Sequence, residues 1–196
     1  MSAVDNVSMS EPLRERLVGA GVDMLEEVGA AQLGLRAITR AAGVSHGAPR
    51  RHFPTHRALL AAIAARGFAD LIERFAKVEV GASTPREHLE RIAAEYVEFA
   101  GERPEMFTLM FRHDLLEGSG ENLRGITLPL FERFAALVAA AAPTVIDPRA
   151  VAIALWTNLH GIAALQANRS LRLVGPATAT PALVSQVLAL HLARKP

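Results

Sequence analysis

The sequence predicts an all-α protein, and three observations support that fold class. Alanine and leucine are abundant, and aromatic residues make up only 5% of the chain. Apolar residues recur at spacings of three and four, and β-branched residues rarely alternate with polar ones as they do in strands. Proline and glycine residues divide the chain into segments of the length of a helix. We therefore expect about nine helices, with a three-helix head at the N-terminus and a larger helical body after it.

The first helix follows a short aperiodic segment. Residues 1–10 are polar and small, and we expect them to form a disordered arm. A helix then begins near Glu11 and Pro12, because proline is tolerated in an opening turn and a carboxylate favours a helix N-terminus. Its apolar stripe continues to Val28, and Gly29 is placed to end it.

A second and a third short helix are predicted around a tight turn. Gly34 or a neighbour starts the second helix, and Gly43 stops it, since glycine can adopt positive φ at a helix end. Val44 can fill the gap between the two helices. Ser45 can cap the third helix through its side-chain oxygen.

A long fourth helix leaves the head and enters the body. Pro54 ends the third helix, and Thr55 can cap the fourth. We place the domain boundary inside this fourth helix, with a head over residues 11–57 and a body over residues 58–196. Further helices are predicted at 84–101, 104–117, 121–142, 147–168 and 180–194.

Composition limits the classes of function. The chain of 196 residues can bury a core, and it contains no cysteine, which excludes disulfides, thiolate zinc sites and cysteine nucleophiles. Residues 1–10 lack the basic and apolar regions of a signal peptide, and the apolar stretches are shorter than the about 20 residues that span a bilayer. We expect a cytoplasmic protein that does not act at a membrane.

Positive charge is concentrated near the N-terminus. Between Val28 and Ala69 there is no Asp or Glu, although the whole chain has 20 acidic residues and a formal net charge of only +1. The arginines of this segment are Arg36, Arg40, Arg50, Arg51, Arg57 and Arg66. Such asymmetry predicts a polyanion-binding head on a neutral-to-acidic body.

The two helices around Gly43 match a helix-turn-helix, in which the second helix enters the major groove of DNA. That helix needs small residues for close approach and long donors for base edges and phosphates. The candidate DNA contacts are Arg36, Ser45, His46, Gly47, Ala48, Arg50, Arg51, His52, His56 and Arg57. An alternative for His52 is that it stabilises the fold.

The run from Ala42 to Leu60, AGVSHGAPRRHFPTHRALL, resembles the signature of the tetracycline-repressor (TetR) family. The resemblance covers residues 13–75 and includes the His-Phe-Pro that follows the third helix. It implies a homodimeric repressor whose head binds DNA and whose body binds a small molecule and dimerises through helices near the C-terminus, here residues 151–167 and 181–193.

Four positions depart from the family pattern. Gly34 stands where a serine or threonine is usual, Arg50 where a tyrosine commonly contacts phosphate, and His56 where lysine is common. Arg50 thus gains charge, and His56 makes its contact dependent on pH. Pro49 lacks a backbone donor, so we expect the third helix to begin late or to be distorted.

The body contains bulky apolar side chains with a few polar groups, which are the ingredients of a small-ligand cavity. The candidate ligand contacts are Phe107, Met110, Phe111, Phe131, Trp156, Leu159 and His160. Trp156 and His160 are the first choices, because an indole and an imidazole on successive turns can orient an apolar molecule. The alternative for each of these residues is that it only fills the core.

No pattern predicts catalysis, a metal or a cofactor. His52 and His56 are separated by Pro54, and His113 belongs to a segment whose simplest interpretation is an exposed polar helix face. No nucleophile elbow, phosphate loop or catalytic carboxylate pair is present.

We therefore predict a ligand-responsive DNA-binding transcriptional regulator. In this interpretation it is a repressor that binds a palindromic duplex operator as a homodimer and is released by a small, largely apolar effector. A helical ligand-binding or scaffold protein without sequence-specific DNA binding stays open as the alternative.

Overall fold

The computed structural model describes residues 11–45, 49–176 and 179–192, and every regular element in these ranges is helical. The α-helices are α1 (Glu11–Val28), α2 (Leu35–Ala41), α3 (His56–Glu79), α4 (Pro85–Glu102), α5 (Pro104–Met110), α6 (His113–Leu116), α7 (Arg124–Ala141), α8 (Pro148–Ala167), α9 (Leu171–Val174) and α10 (Ala179–Leu192). The all-α prediction is confirmed for these ranges, and the predicted arm at 1–10 lies outside them.

The head consists of α1, α2, a 3₁₀ turn at Pro49–Arg51 and the start of α3. Its core is formed by side chains that recur at helical spacing and lose all or nearly all of their solvent contact. These are Leu17, Leu25, Ile38, Phe53 and Leu59. Ile38 and Phe53 are therefore core residues and not part of the surface available to DNA.

The helix ends predicted at Gly29, Gly43 and Thr55 are confirmed. Gly29 follows α1 with φ +71°, and Gly43 follows α2 with φ +64°, a conformation that glycine adopts without strain. Gly34 precedes α2 without a side-chain cap. Thr55 caps α3 because its Oγ1 accepts a hydrogen bond from Ala58 N at 3.1 Å.

Two features of the body differ from the prediction. The single helix expected at 104–117 is two helices, α5 and α6, and the short α9 was not expected. At the break, Arg112 leaves helical geometry with ψ 71° and donates two hydrogen bonds of 2.8 Å to the Asp114 carboxylate. This local pair stabilises the turn, and Phe111 beside it packs against the aromatic rings of the body.

The body packs around α4. That helix contacts α3, α7 and α8, and α10 packs against α8 and α4. Pro129 lies inside α7. Among the described helices only α8 has the length and apolar composition of a membrane span, with a mean hydropathy of 1.3. In the body, α8 packs against five other helices, α4, α5, α7, α9 and α10, as a helix of a folded bundle does.

Head and body are joined by more than the continuous α3. The Glu26 carboxylate on α1 accepts hydrogen bonds from the backbone N–H of Glu105 and Met106, both at 3.1 Å, and from Arg103 Nε at 3.2 Å. Glu26 thereby acts on the first turn of α5 as an N-cap side chain does. The head therefore touches the same segment, α5, that leads to Phe111.

Candidate DNA-binding surface and ligand cavity

The head has a surface of exposed, unpaired arginines. Arg36 and Arg40 are exposed on α2, and Arg50 and Arg51 are exposed in the 3₁₀ turn. None of these four forms an ion pair with a residue that the structure describes. Guanidinium groups that lack a carboxylate partner are free to bind phosphate or guanine. Arg40 was not among the predicted contacts, although its charge was visible in the sequence.

The other two arginines of this segment already have partners. Arg66 lies 3.8 Å from a Glu15 carboxylate oxygen and 3.5 Å from one of Asp70. Arg57, a predicted DNA contact, is exposed but donates from Nη1 to the carbonyl oxygen of Glu117 at 3.0 Å. Arg57 thus links the head to the end of α6.

The remaining predicted DNA contacts differ in exposure and in hydrogen bonding. His56 is exposed, and its Nε2 donates to the Leu33 carbonyl oxygen at 2.6 Å, which joins the start of α3 to the turn before α2. His52 is half-buried, and Ser45 is exposed at the end of the turn. The predicted contacts His46, Gly47 and Ala48 lie outside the described residues. A DNA contact by any of these residues stays a prediction.

The described part of the predicted third helix is a 3₁₀ turn and not an α-helix. It begins at Pro49, whose ring fixes φ and whose missing N–H is tolerated at the start of a helical turn. Arg50 and Arg51 follow directly and are exposed. The expected distortion at Pro49 thus appears as a change of helix type.

The body contains a partly open cavity of about 710 Å³ between α3, α4, α7 and α8. This volume is within the range of pockets that hold drug-sized molecules. Most of its lining is aromatic or aliphatic. The lining residues include Phe68, Leu71, Phe75, Ile92, Tyr96, Phe111, Leu130, Phe131, Phe134, Leu137, Trp156 and Leu159.

Four of the seven predicted ligand contacts line this cavity, namely Phe111, Phe131, Trp156 and Leu159. The other three, Phe107, Met110 and His160, lie outside the lining. Phe107 and Met110 are buried, and the Phe107 ring centroid is 5.3 Å from that of His160. His160 stands behind Phe111, with ring centroids 4.6 Å apart. The structure thus brings the aromatic residues into one cluster but gives them different access to a ligand.

Tyr96, which lines the cavity, is hydrogen-bonded to His160, which does not line it. The Tyr96 Oη and His160 Nδ1 are 2.7 Å apart. Burial lowers the pKa of His160 and raises the pKa of the Tyr96 phenol, so both groups are neutral near pH 7. The pair positions the Tyr96 ring, which lines the cavity.

A charged cluster lies at the edge of the cavity. Glu79 on α3, His88 on α4 and Arg133 on α7 all line it. The Glu79 Oε1 is 3.0 Å from His88 Nε2 and 3.3 Å from Arg133 Nη2. No local pattern in the sequence indicates this cluster, because its three residues lie on three separate helices.

The predicted exposed polar face around His113 is present, and Asp114 there is paired with Arg112. The hydrogen bond from Arg112 lowers the pKa of the Asp114 carboxyl. Within 11–45, 49–176 and 179–192 there is no group of His, Asp and Glu that could hold a metal ion.

Two family models match the sequence. Residues 17–63 match the model described as bacterial regulatory proteins, tetR family, and residues 89–190 match the tetracyclin repressor-like, C-terminal domain. The first covers the head and the second covers the cavity-forming helices α4, α7 and α8. No curated protein matches the chain.

Several solved structures share the fold. A protein of unknown function from Rhodococcus sp. RHA1 is 29% identical, with a TM-score of 0.78 over 93% of this chain and 96% of that one. A TetR-like transcriptional regulator from the same organism is 21% identical, with a TM-score of 0.70 over 93% and 97%. The transcriptional regulator FadR from Bacillus subtilis, in complex with stearoyl-CoA, is 16% identical, with a TM-score of 0.67 over 91% and 97%.

Proposed function

Because the chain belongs to the TetR family of bacterial transcriptional regulators, we propose that it is a cytoplasmic repressor without enzymatic activity. In this proposal a homodimer binds a palindromic operator, and a small, largely apolar effector releases it. The observation that carries the proposal is the union of two features in one chain. A surface of exposed arginines lies on the head, an apolar cavity lies in the body, and α3 runs from the head into the body.

The homodimer is supported by apolar side chains that the single chain leaves exposed. On α8, Leu165 is 42% exposed, and on α10, Leu190 is 72% exposed. The two helices pack against each other. A second copy that covers this face would place two heads about a two-fold axis, as a palindromic site requires.

The route from cavity to head has two branches. Phe68, Leu71 and Phe75 line the cavity from α3, whose first residues belong to the head. Phe111 lines it from the end of α5, whose first turn is held by Glu26 of α1. A ligand that displaces these rings shifts both connections together. It favours release only if it binds the released state more tightly than the DNA-bound state.

The effector class follows from the lining. An apolar wall of this size favours a molecule with a large hydrophobic surface and few polar groups. The FadR structure, which shares the fold, holds stearoyl-CoA, a ligand with a long apolar chain. That complex supports an apolar effector for this chain as well.

The experiment is a selection of bound fragments from random duplex DNA, followed by titration of the enriched site at several salt concentrations. We expect a palindromic consensus, a steep loss of affinity with rising salt, and a dimer in sedimentation. If the selection enriched no DNA sequence, or if the affinity for DNA did not change with salt concentration, the proposal would be contradicted. A ligand-binding or scaffold protein would then be favoured.

A further inference from the structure

The ionisable residues of the cavity lining are unevenly placed. Tyr96 stands with the aromatic rings, whereas Glu79, His88 and Arg133 meet around a single oxygen, Glu79 Oε1. Because the rest of the lining is overwhelmingly apolar, this cluster gives the cavity one polar end. A ligand that fills the cavity therefore meets this group of charged and polar side chains at one end and mainly apolar side chains elsewhere.

The polar end has more hydrogen-bond donors than acceptors. The Arg133 guanidinium carries five N–H groups, and its one hydrogen bond to a described residue is from Nη2 to Glu79. His88 Nε2 is buried, and although it is 3.0 Å from Glu79 Oε1, the contact lacks hydrogen-bond geometry. A buried polar atom without a hydrogen bond is costly, and a ligand atom can remove that cost.

The cluster also lies where a charged group can be accepted. The Arg133 side chain is 65% exposed, whereas those of Glu79 and His88 are 28% and 26% exposed. A head group bound beside Arg133 keeps part of its hydration, so its desolvation cost is smaller than at the centre of the cavity. Its apolar tail can lie along Phe75, Phe131 and Phe134, which line the same cavity.

We propose that the Glu79–His88–Arg133 cluster binds the carboxylate of an amphipathic effector whose apolar tail fills the cavity. The carboxylate accepts hydrogen bonds from the Arg133 guanidinium and from His88 Nε2–H. This inference rests on the proposed function, because it names the chemical class of that effector. A cationic head is disfavoured, since it would meet the Arg133 guanidinium, and Glu79, the one acidic residue of the described lining, is already paired with Arg133.

The test uses three probes with the same tail and different heads: dodecanoate, dodecanol and dodecylamine, each below its micelle concentration. Trp156 is the single tryptophan of the chain and lines the cavity, so its fluorescence reports binding. We expect dodecanoate to bind about tenfold more tightly than dodecanol, as a charge-assisted hydrogen bond provides. Dodecylamine should bind most weakly.

Variants locate the head-group site. Arg133→Gln should remove most of the preference for dodecanoate over dodecanol. Glu79→Gln should strengthen dodecanoate binding, because it removes the competing negative charge. Arg124→Gln is the matched control, since Arg124 is exposed on the same helix α7 and does not line the cavity. Melting temperatures of all variants check that the fold is retained.

The outcomes separate this inference from the proposed function. Equal affinities for dodecanoate and dodecanol, tighter binding of dodecylamine, a preference that survives Arg133→Gln, or no response of Trp156 to any probe would each overturn the inference. Release of the selected operator is measured in the same samples by fluorescence anisotropy. Release by all apolar probes alike keeps the proposed function and overturns the head-group site, whereas absence of operator binding overturns the function alone.

Discussion

Four exposed arginines of the head and most arginines of the body have opposite surroundings. On the head, Arg36, Arg40, Arg50 and Arg51 are exposed and have no carboxylate partner among the described residues. In the body, arginines are mostly paired, as in Arg74 with Glu95 and Glu102, Arg91 with Glu87, and Arg149 with Glu132. Neutralising the body's charge locally leaves the head as the surface that attracts a polyanion.

The two regions also differ in how they are assembled. The cationic surface comes from one continuous segment of the chain, whereas the cavity is lined by residues from Phe68 to Leu159 on four long helices and on the turn at Phe111. A change in the head should therefore affect a local contact. A change in the body should instead act through the packing of its helices.

The largest expected effect is on DNA binding. The double variant Arg50→Ala and Arg51→Ala should weaken binding of the selected operator by about 1–3 kcal/mol for each arginine that contacts a base, which is about 5- to 150-fold. Thermal stability should not change, because both side chains are exposed. Arg172→Ala, at an exposed arginine of α9, is the control. Undiminished operator affinity in the double variant would remove both residues from the DNA-binding surface.

A tight contact between α3 and α5 should show the body's dependence on packing. A Cβ at Gly67 would lie 2.5 Å from Met106 Sδ and 2.8 Å from Met110 Sδ, and both methionines are buried. Gly67→Ala should lower the free energy of unfolding by about 1–3 kcal/mol.

Gly19→Ala is the control in the head, where a Cβ on α1 meets nothing within 4 Å. Better helix propensity should raise its stability by about 0.5–1 kcal/mol. Chemical denaturation measures both variants, and equal shifts in the two would show that α3 and α5 are not tightly packed at Gly67.

The connection between head and body should respond to Glu26. Glu26→Ala leaves the N–H groups of Glu105 and Met106 without their acceptor, so stability should fall by about 0.5–2 kcal/mol. Glu26→Gln keeps an acceptor oxygen and should lose less. In addition, ligand-induced operator release should weaken in Glu26→Ala. Unchanged release at reduced stability would assign Glu26 a purely structural role.

The smallest effect should come from the pH dependence of His160. Its pKa is lowered in the folded state, so below its ordinary value of about 6.5 the unfolded chain binds a proton that the folded chain does not. The free energy of unfolding should therefore decrease as the pH falls through this value. In His160→Gln this component is absent, and a matched series of denaturation curves should show a shallower decrease. Identical pH profiles would mean that His160 is not buried as described.

Much of the head could be predicted from the sequence because its signals are local. Gly29, Gly43 and Thr55 end or cap helices through interactions within a few residues, and the structure confirms all three. The concentration of positive charge near the N-terminus can be recognised from the order of residues alone. The exception is the stretch at Pro49, where the described residues form a 3₁₀ turn and not the expected α-helix.

The cavity was predicted only in part. Phe111, Phe131, Trp156 and Leu159 line it, but the same reasoning also chose His160, which lies behind the wall with Tyr96. Bulky residues at helical spacing indicate an apolar face without showing whether that face meets another helix or an open space. The break between α5 and α6 was missed for a similar reason, because Phe111 packs against residues distant in the chain.

The sequence by itself determined the helical class, the helix ends of the head and the segregation of positive charge, since each depends on residues close together along the chain. Only the tertiary structure decided which side chains surround the cavity and brought Glu79, His88 and Arg133 to one oxygen. Those three residues lie on helices whose relative placement comes from packing across the whole body. Contacts between side chains on different helices depend on how all the apolar faces of the body pack together. They therefore leave no periodic pattern in any one segment of the sequence.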